Sequence, residues 1–216
     1  MKLDEKEILR YLGCGRKPPD AVLHELVLSC AEELEQVATP RSISRLFPVT
    51  FWENGVRLGN IAVEGRDLRQ HIRGCKEAVL FAATLGVQAD ILLARYSRID
   101  MSRAAVLQAA SAAMIESYCD ETEKEISAQA ARRGLFLRPR YSPGYGDFSI
   151  RLQREILNTL DCPKRIGLSM TESFMLVPTK SVTAVIGLAS DPAGCHIAKC
   201  MGCKDGNCPF RKESDE

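Results

Sequence analysis

Excess charge of either sign is missing from this chain. Its 29 Lys and Arg against 28 Asp and Glu leave a net charge of +1 over 216 residues, which excludes the basic footprint that drives non-specific binding to nucleic acid. Long apolar runs are missing too. The most apolar window, residues 104–115, is interrupted by Gln108 and Ser111 and preceded by Arg103, so it is too short and too polar to cross a bilayer. The first residues, Met1-Lys2-Leu3-Asp4-Glu5, carry acids where a secretory signal is basic and then apolar. A cytoplasmic location is expected, where the nine cysteines would be reduced thiols and not a disulfide framework. With 45% apolar and 26% charged residues the composition is that of a folded globular protein, long enough for one sizeable core with a small appendage.

Asp4 followed by Glu7 predicts a capped helix reaching Leu12, stopped by Gly13 and Gly15. Leu23, Leu26, Val27, Cys30, Leu34 and Val37 recur at helical spacing and predict a second helix, ended by Thr39-Pro40. Residues 43–63 read as strands around an Asn54-Gly55 hairpin turn. The continuous apolar run 78–85 reads as a strand covered on both faces. Two helices follow, over 88–98 and from the Asp100 cap to 132, with Gly134 as terminator. The first half of the longer helix carries small side chains that allow close approach, and its second half, 116–132, is charged and solvated. A short strand is expected at 135–137, a helix from Ser149 to Leu160, a break at Cys162-Pro163, and strands over 166–168, 173–177 and 181–188. Blocks of strands and blocks of helices make an α+β fold, a mixed or antiparallel sheet with packed helices. It spans residues 1–190, and 191–216 forms a separate cysteine-rich tail.

Residues 138–147 contain two prolines, two glycines, two tyrosines and two arginines. Prolines fix the backbone and glycines let a ligand approach it, so the loop can present an arginine fork to a carboxylate and a tyrosine ring to a flat group. The other reading is a surface turn whose aromatics cover the core. In the tail, Cys195, Cys200, Cys203 and Cys208 are spaced C-x4-C-x2-C-x4-C with Gly202, Gly206 and Pro209 between or beside them. Four thiolates complete one tetrahedral zinc site or one iron–sulfur cluster. His196, next to the first ligand, is a bystander to a filled shell. Cys30 is a core residue on the stripe of its helix, Cys14 is ambiguous, and Cys75, Cys119 and Cys162 are scattered. His24 and His71 read as helix-surface residues.

Arg140-Tyr141-Ser142-Pro143-Gly144-Tyr145, followed downstream by Thr171-Glu172-Ser173-Phe174-Met175-Leu176-Val177-Pro178 and Ser181-Val182-Thr183, resembles the activation domain of cobalamin-dependent methionine synthase. That family shows an Arg-Pro-x-Pro-Gly-Tyr loop, then a helix, a Thr-Glu-Ser-Phe-x-Met-x-Pro segment and a Ser-Val-Ser strand. The resemblance implies that the chain binds S-adenosylmethionine, with Arg140 holding its carboxylate. It further implies that the backbone of Ser142, Pro143 and Gly144 lies along the adenosine, Tyr141 and Tyr145 pack near it, and Glu172 shapes the site from the neighbouring strand. No acid–base residue is implied, because cobalt is the nucleophile and the sulfonium is already activated. Arg140→Ala is expected to abolish ligand binding with little loss of stability. The family's paired tyrosines after the Ser-Val-Ser strand have no counterpart in Ser190-Asp191-Pro192-Ala193-Gly194-Cys195. Family members usually end a long synthase, so the implied partner is a separate cobalamin-carrying methionine synthase or corrinoid protein, with an electron-donor protein beside it. The tail is then expected to hold an iron–sulfur cluster, with zinc as the alternative. Two other functions stay open: a zinc-knuckle assembly factor, and a methyltransferase acting on another corrinoid protein.

Overall fold

The computed structural model describes residues 3–14 and 18–193. Helices α1 (Glu5–Tyr11) and α2 (Ala21–Val37) begin where Asp4 and Asp20 accept backbone N–H groups of Lys6 and Leu23, the side-chain capping expected of aspartate. Strands β1 (Arg41–Trp52), β2 (Gly55–Leu58) and β3 (Ile61–Glu64) follow. After them come α3 (Asp67–His71), β4 (Glu77–Thr84), α4 (Val87–Ile99), α5 (Met101–Ala131) and β5 (Phe136–Leu137). A 3-10 turn (Ile150–Leu152) leads into α6 (Gln153–Leu160), α7 (Cys162–Ile166), β6 (Ser169–Met170), β7 (Leu176–Val177) and β8 (Ser181–Ala189).

All strand pairs are antiparallel. The main sheet runs β3-β2-β1-β4-β8-β5, and β6 pairs with β7 separately. β1 changes partner along its length, from β4 over Arg41 to Pro48 to β2 over Val49 to Trp52. Pro48, which has no N–H to give a ladder, sits at the changeover. β4 and β8 are buried almost throughout, as central strands with both faces covered must be.

Alternation along these strands divides the core in two. Val79, Phe81, Ala83, Ala184, Ile186 and Leu188 face α1, α2, α4 and α5. Ala78, Leu80, Ala82, Val185 and Ala189 face α3, α6 and α7. Full burial of a side chain such as Phe81 contributes about 2–3 kcal/mol. Ala104, Ala109, Ala110 and Ala113 on α5 are buried, and their small side chains bring its axis close to the sheet.

The structure amends several expectations. The hairpin turn is Glu53-Asn54, because Gly55 already pairs with Trp52. Gly55 serves there by taking little space: a Cβ would meet the Trp52 ring and the Val63 carbonyl oxygen. Pro163 does not break structure but occupies the first turn of α7, where its missing N–H costs nothing. The strand expected at 166–168 is therefore the end of that helix. Of the strand expected at 173–177 only Leu176–Val177 forms. Thr171 Oγ1 accepts Met175 N at 3.1 Å and Phe174 has φ +65°, which curls the segment into a turn. His71 is not a surface residue: it is half-buried, donates from Nε2 to Pro139 O at 2.7 Å and lies 4.8 Å from the Tyr141 ring. His24 stays on the surface, 2.6 Å from Glu5 Oε1. Cys30, Cys75, Cys119 and Cys162 are buried free thiols, and Cys14 is half-buried. No helix among the described residues is long and apolar enough to cross a membrane.

Candidate functional site

The segment after β5 runs alongside β8 and then leaves it. Arg138 N donates to Gly187 O, and Tyr141 and Val185 exchange both backbone bonds at 2.9 Å. The next residue in register would be Pro143, which has no N–H. The chain curls away there, with Gly144 N bonded to Phe148 O at 2.7 Å.

A carboxylate clamp holds this curl on α3. Asp147 accepts the N–H groups of Arg66 (2.7 Å) and Asp67 (3.1 Å), and Asp67 returns the bond to Asp147 N at 3.1 Å. The Arg66 N–H above all holds the Asp147 carboxyl below its ordinary pKa. Gly146 permits the clamp: its φ is +52°, and a Cβ would collide with the Asp67 carboxylate and lie 2.8 Å from Tyr141 Oη.

Between the curl and β8 lies a cavity of about 620 Å³, lined by Glu116, Arg140, Tyr141, Ser142, Pro143, Gly144, Tyr145, Gln153, Leu176, Ser181, Val182 and Thr183. Its volume is in the range of small-molecule and cofactor sites. Six of the seven residues expected at a ligand site are thus brought together. Glu172 is not: it is exposed on the 171–174 turn instead of a strand, outside the lining.

Arg140 enters from the α5 side with its side chain 5% exposed. Nη2 donates to Glu116 Oε2 at 3.0 Å and Asp120 Oδ1 at 2.7 Å. Nη1 lies 3.2 Å from Glu123 Oε2 but makes no hydrogen bond. Burial, the largest influence, acts to lower the guanidinium pKa, yet Glu123, Cys119, Asp120 and Glu116 together raise it above the ordinary arginine value. The group is held charged. Three carboxylates around one cation leave a surplus of negative charge, which favours a ligand with net positive charge. This arrangement weighs against a small stability cost for Arg140→Ala. Deleting the cation leaves three clustered carboxylates uncompensated, a loss of about 1–3 kcal/mol. Beside it, burial pushes the Cys119 thiol up to about 12, so no thiolate forms there at neutral pH.

On the far side of β8 the floor is a polar pair inside an apolar core. Thr183 (2% exposed) donates from Oγ1 to Gln153 Oε1 at 3.2 Å, and Gln153 (5% exposed) donates from Nε2 to Phe174 O at 3.0 Å. Glu116, Gln153, Leu176, Ser181, Val182 and Thr183 were not singled out from the sequence as site residues. Glu116 reads there as part of the solvated half of its helix, and only the three-to-four-residue spacing of Glu116, Asp120 and Glu123 marks a common acidic face.

Among the described residues, no group of three or more His, Cys, Asp or Glu side chains is placed to hold a metal ion. Cys195, Cys200, Cys203, Cys208 and His196 lie outside the described residues.

A loop bent by proline and glycine and an ion-paired arginine border one cavity at the edge of β8 in this α+β fold. Among solved structures, this fold is shared with one described as the crystal structure of the MetH reactivation domain bound to AdoHcy. The TM-score is 0.61 at 16% sequence identity, covering 79% of this chain and 65% of that chain. The chain has the reactivation-domain fold. No protein-family model matches it, and no curated protein matches it significantly.

Proposed function

We propose that the cavity binds S-adenosylmethionine and that the chain supports reductive methylation of cobalamin carried by a separate methionine synthase or corrinoid protein. The observation that carries this reading is the meeting of the Arg140–Glu116 pair and the 142–145 loop at one cavity, in a fold shared with a domain bound to AdoHcy. An amino-acid terminus presents a carboxylate and an ammonium side by side. Arg140 and Glu116, 3.0 Å apart, offer the complementary charges, so the zwitterion exchanges partners with an existing ion pair and leaves no charge alone. Asp120 and Glu123 keep the surplus that suits a sulfonium. The backbone of Ser142, Pro143 and Gly144 lies along the adenosine, with Tyr141 and Tyr145 beside it.

One electron from a donor protein takes the partner's corrin cobalt from its inactive Co(II) state to Co(I). The Co(I) electron pair then takes the methyl group, the C–S bond breaks, and neutral S-adenosylhomocysteine is left. This chain's residues position the donor and need supply no proton. Cys195, Cys200, Cys203 and Cys208 of the tail, residues 191–216, would hold an iron–sulfur cluster, which would supply one-electron transfer chemistry. Ala193, two residues before Cys195, accepts a hydrogen bond from Arg138.

Calorimetry with S-adenosylmethionine tests the reading. Wild type should bind. Arg140→Lys, which keeps the charge among the carboxylates but loses the fork, should bind at least about tenfold more weakly with stability little changed. No binding by wild type overturns the proposal, and unchanged affinity in the variant removes Arg140 from it.

A further inference from the structure

β8 presents an unused row of backbone hydrogen-bonding groups to the cavity. Both backbone groups of Val185 are taken by Tyr141, so Val185 faces away from β4 in the ladder. The β4–β8 register runs without a bulge from Glu77↔Leu188 to Thr84↔Ser181. By the alternation of an antiparallel ladder, Thr183 and Ser181 therefore point their N–H and C=O groups the same way. Along the neighbouring segment, the residue that would pair with Thr183 is Pro143, and the chain has already turned off. Among the described residues, no protein group bonds the Thr183 N–H, the Thr183 C=O or the Ser181 C=O. Thr183 is 2% exposed, and both residues line the cavity. Buried backbone groups without partners are rare and costly enough to call for an occupant.

From this we infer that the free edge of β8 reads the base of the ligand: the Thr183 N–H donates to N1 of adenine, and the adjacent outward carbonyl of Ser181 or Thr183 accepts from the 6-amino group. The inference rests on the proposed S-adenosylmethionine reading and assigns the base-specific contact within it. The chemistry fits on three counts. An extended edge alternates acceptor and donor, as the Watson–Crick edge of adenine does in complement. Pro143, Tyr145, Val182 and Leu176 supply apolar walls for a flat ring. The cavity wraps the sheet edge, with Val182 on the α5 side and Thr183 on the α6 side, so a base at the edge leaves the amino-acid end free to reach Arg140 and Glu116.

Binding of S-adenosylhomocysteine analogues, measured on the full chain, tests the inference. Replacing N1 by CH (1-deaza) should weaken binding by about tenfold or more, because a buried donor is then left unpaired. Replacing N3 by CH (3-deaza) should leave it near the parent. Exchange of the Thr183 amide hydrogen should slow on binding of the parent, while that of Val182, directed to β4, should not change. Equal affinity of the 1-deaza analogue and the parent overturns the edge contact and leaves the ligand assignment standing. Failure of the parent and of S-adenosylmethionine to bind brings down both.

Discussion

Arg140, His71 and Thr183 show how differently single residues declare themselves. Arg140 stood out from the sequence because prolines, glycines and tyrosines surround it. Its carboxylate partners did not, since they lie on a distant helix and only the fold brings them together. Thr183 was legible as part of a strand, but unpaired backbone groups are a property of its neighbours: Pro143 opposite has no N–H for the Thr183 carbonyl, and the chain curls away there before its own carbonyl can accept from the Thr183 N–H. His71 carried no sequence signal at all. Burial, ahead of the nearby Arg138 charge, lowers its pKa below the ordinary 6.5, against the opposing effect of its bond to Pro139 O. A histidine held neutral by folding takes up its proton more readily in the unfolded chain, so stability should fall as pH drops from about 7 through 6.5 toward the folded value. Urea unfolding of wild type and His71→Gln over that range checks this. The variant, which keeps a donor for Pro139 but cannot titrate, should lose less stability, and parallel slopes would exclude His71 as the source.

At the scale of elements, the helices were the most readable part. α2, α4 and α5 form within a residue or so of expectation because their signals are local: an Asp or Gly at the start and apolar residues at helical spacing. The 171–177 segment was misread because its turn, closed locally by Thr171 Oγ1 accepting Met175 N, is also held from α6 by Gln153 donating to Phe174 O. The α3 clamp was invisible for the same reason, joining Asp67 to Asp147 across the chain. Gly146→Ala tests what the clamp does. The substitution forces an L side chain to φ +52° and drives it into the Asp67 carboxylate, which should cost about 1–3 kcal/mol. It should also weaken S-adenosylmethionine binding by moving the 142–145 loop. Denaturant unfolding with calorimetry reads both, and loss of stability with intact binding would show that the clamp does not position the loop.

Taken as a whole, the described fold closes its core at β8: Leu188 and Ala189 are its last core residues in chain order. The cysteine tail should therefore be separable from it. Protein ending at residue 193 should keep the S-adenosylmethionine affinity of the full chain and lose any metal that the full chain carries. The full chain, purified without air, should be brown with visible absorption; a colourless full chain with stoichiometric zinc would replace the cluster with a structural knuckle. The α+β class was readable at this scale, and the sheet order was not, because β1 divides its length between two partners. The cavity itself spans the rim of that sheet, one wall from each helical layer. A molecule lodged in it would touch both layers at once, Glu116 from α5 and Gln153 from α6.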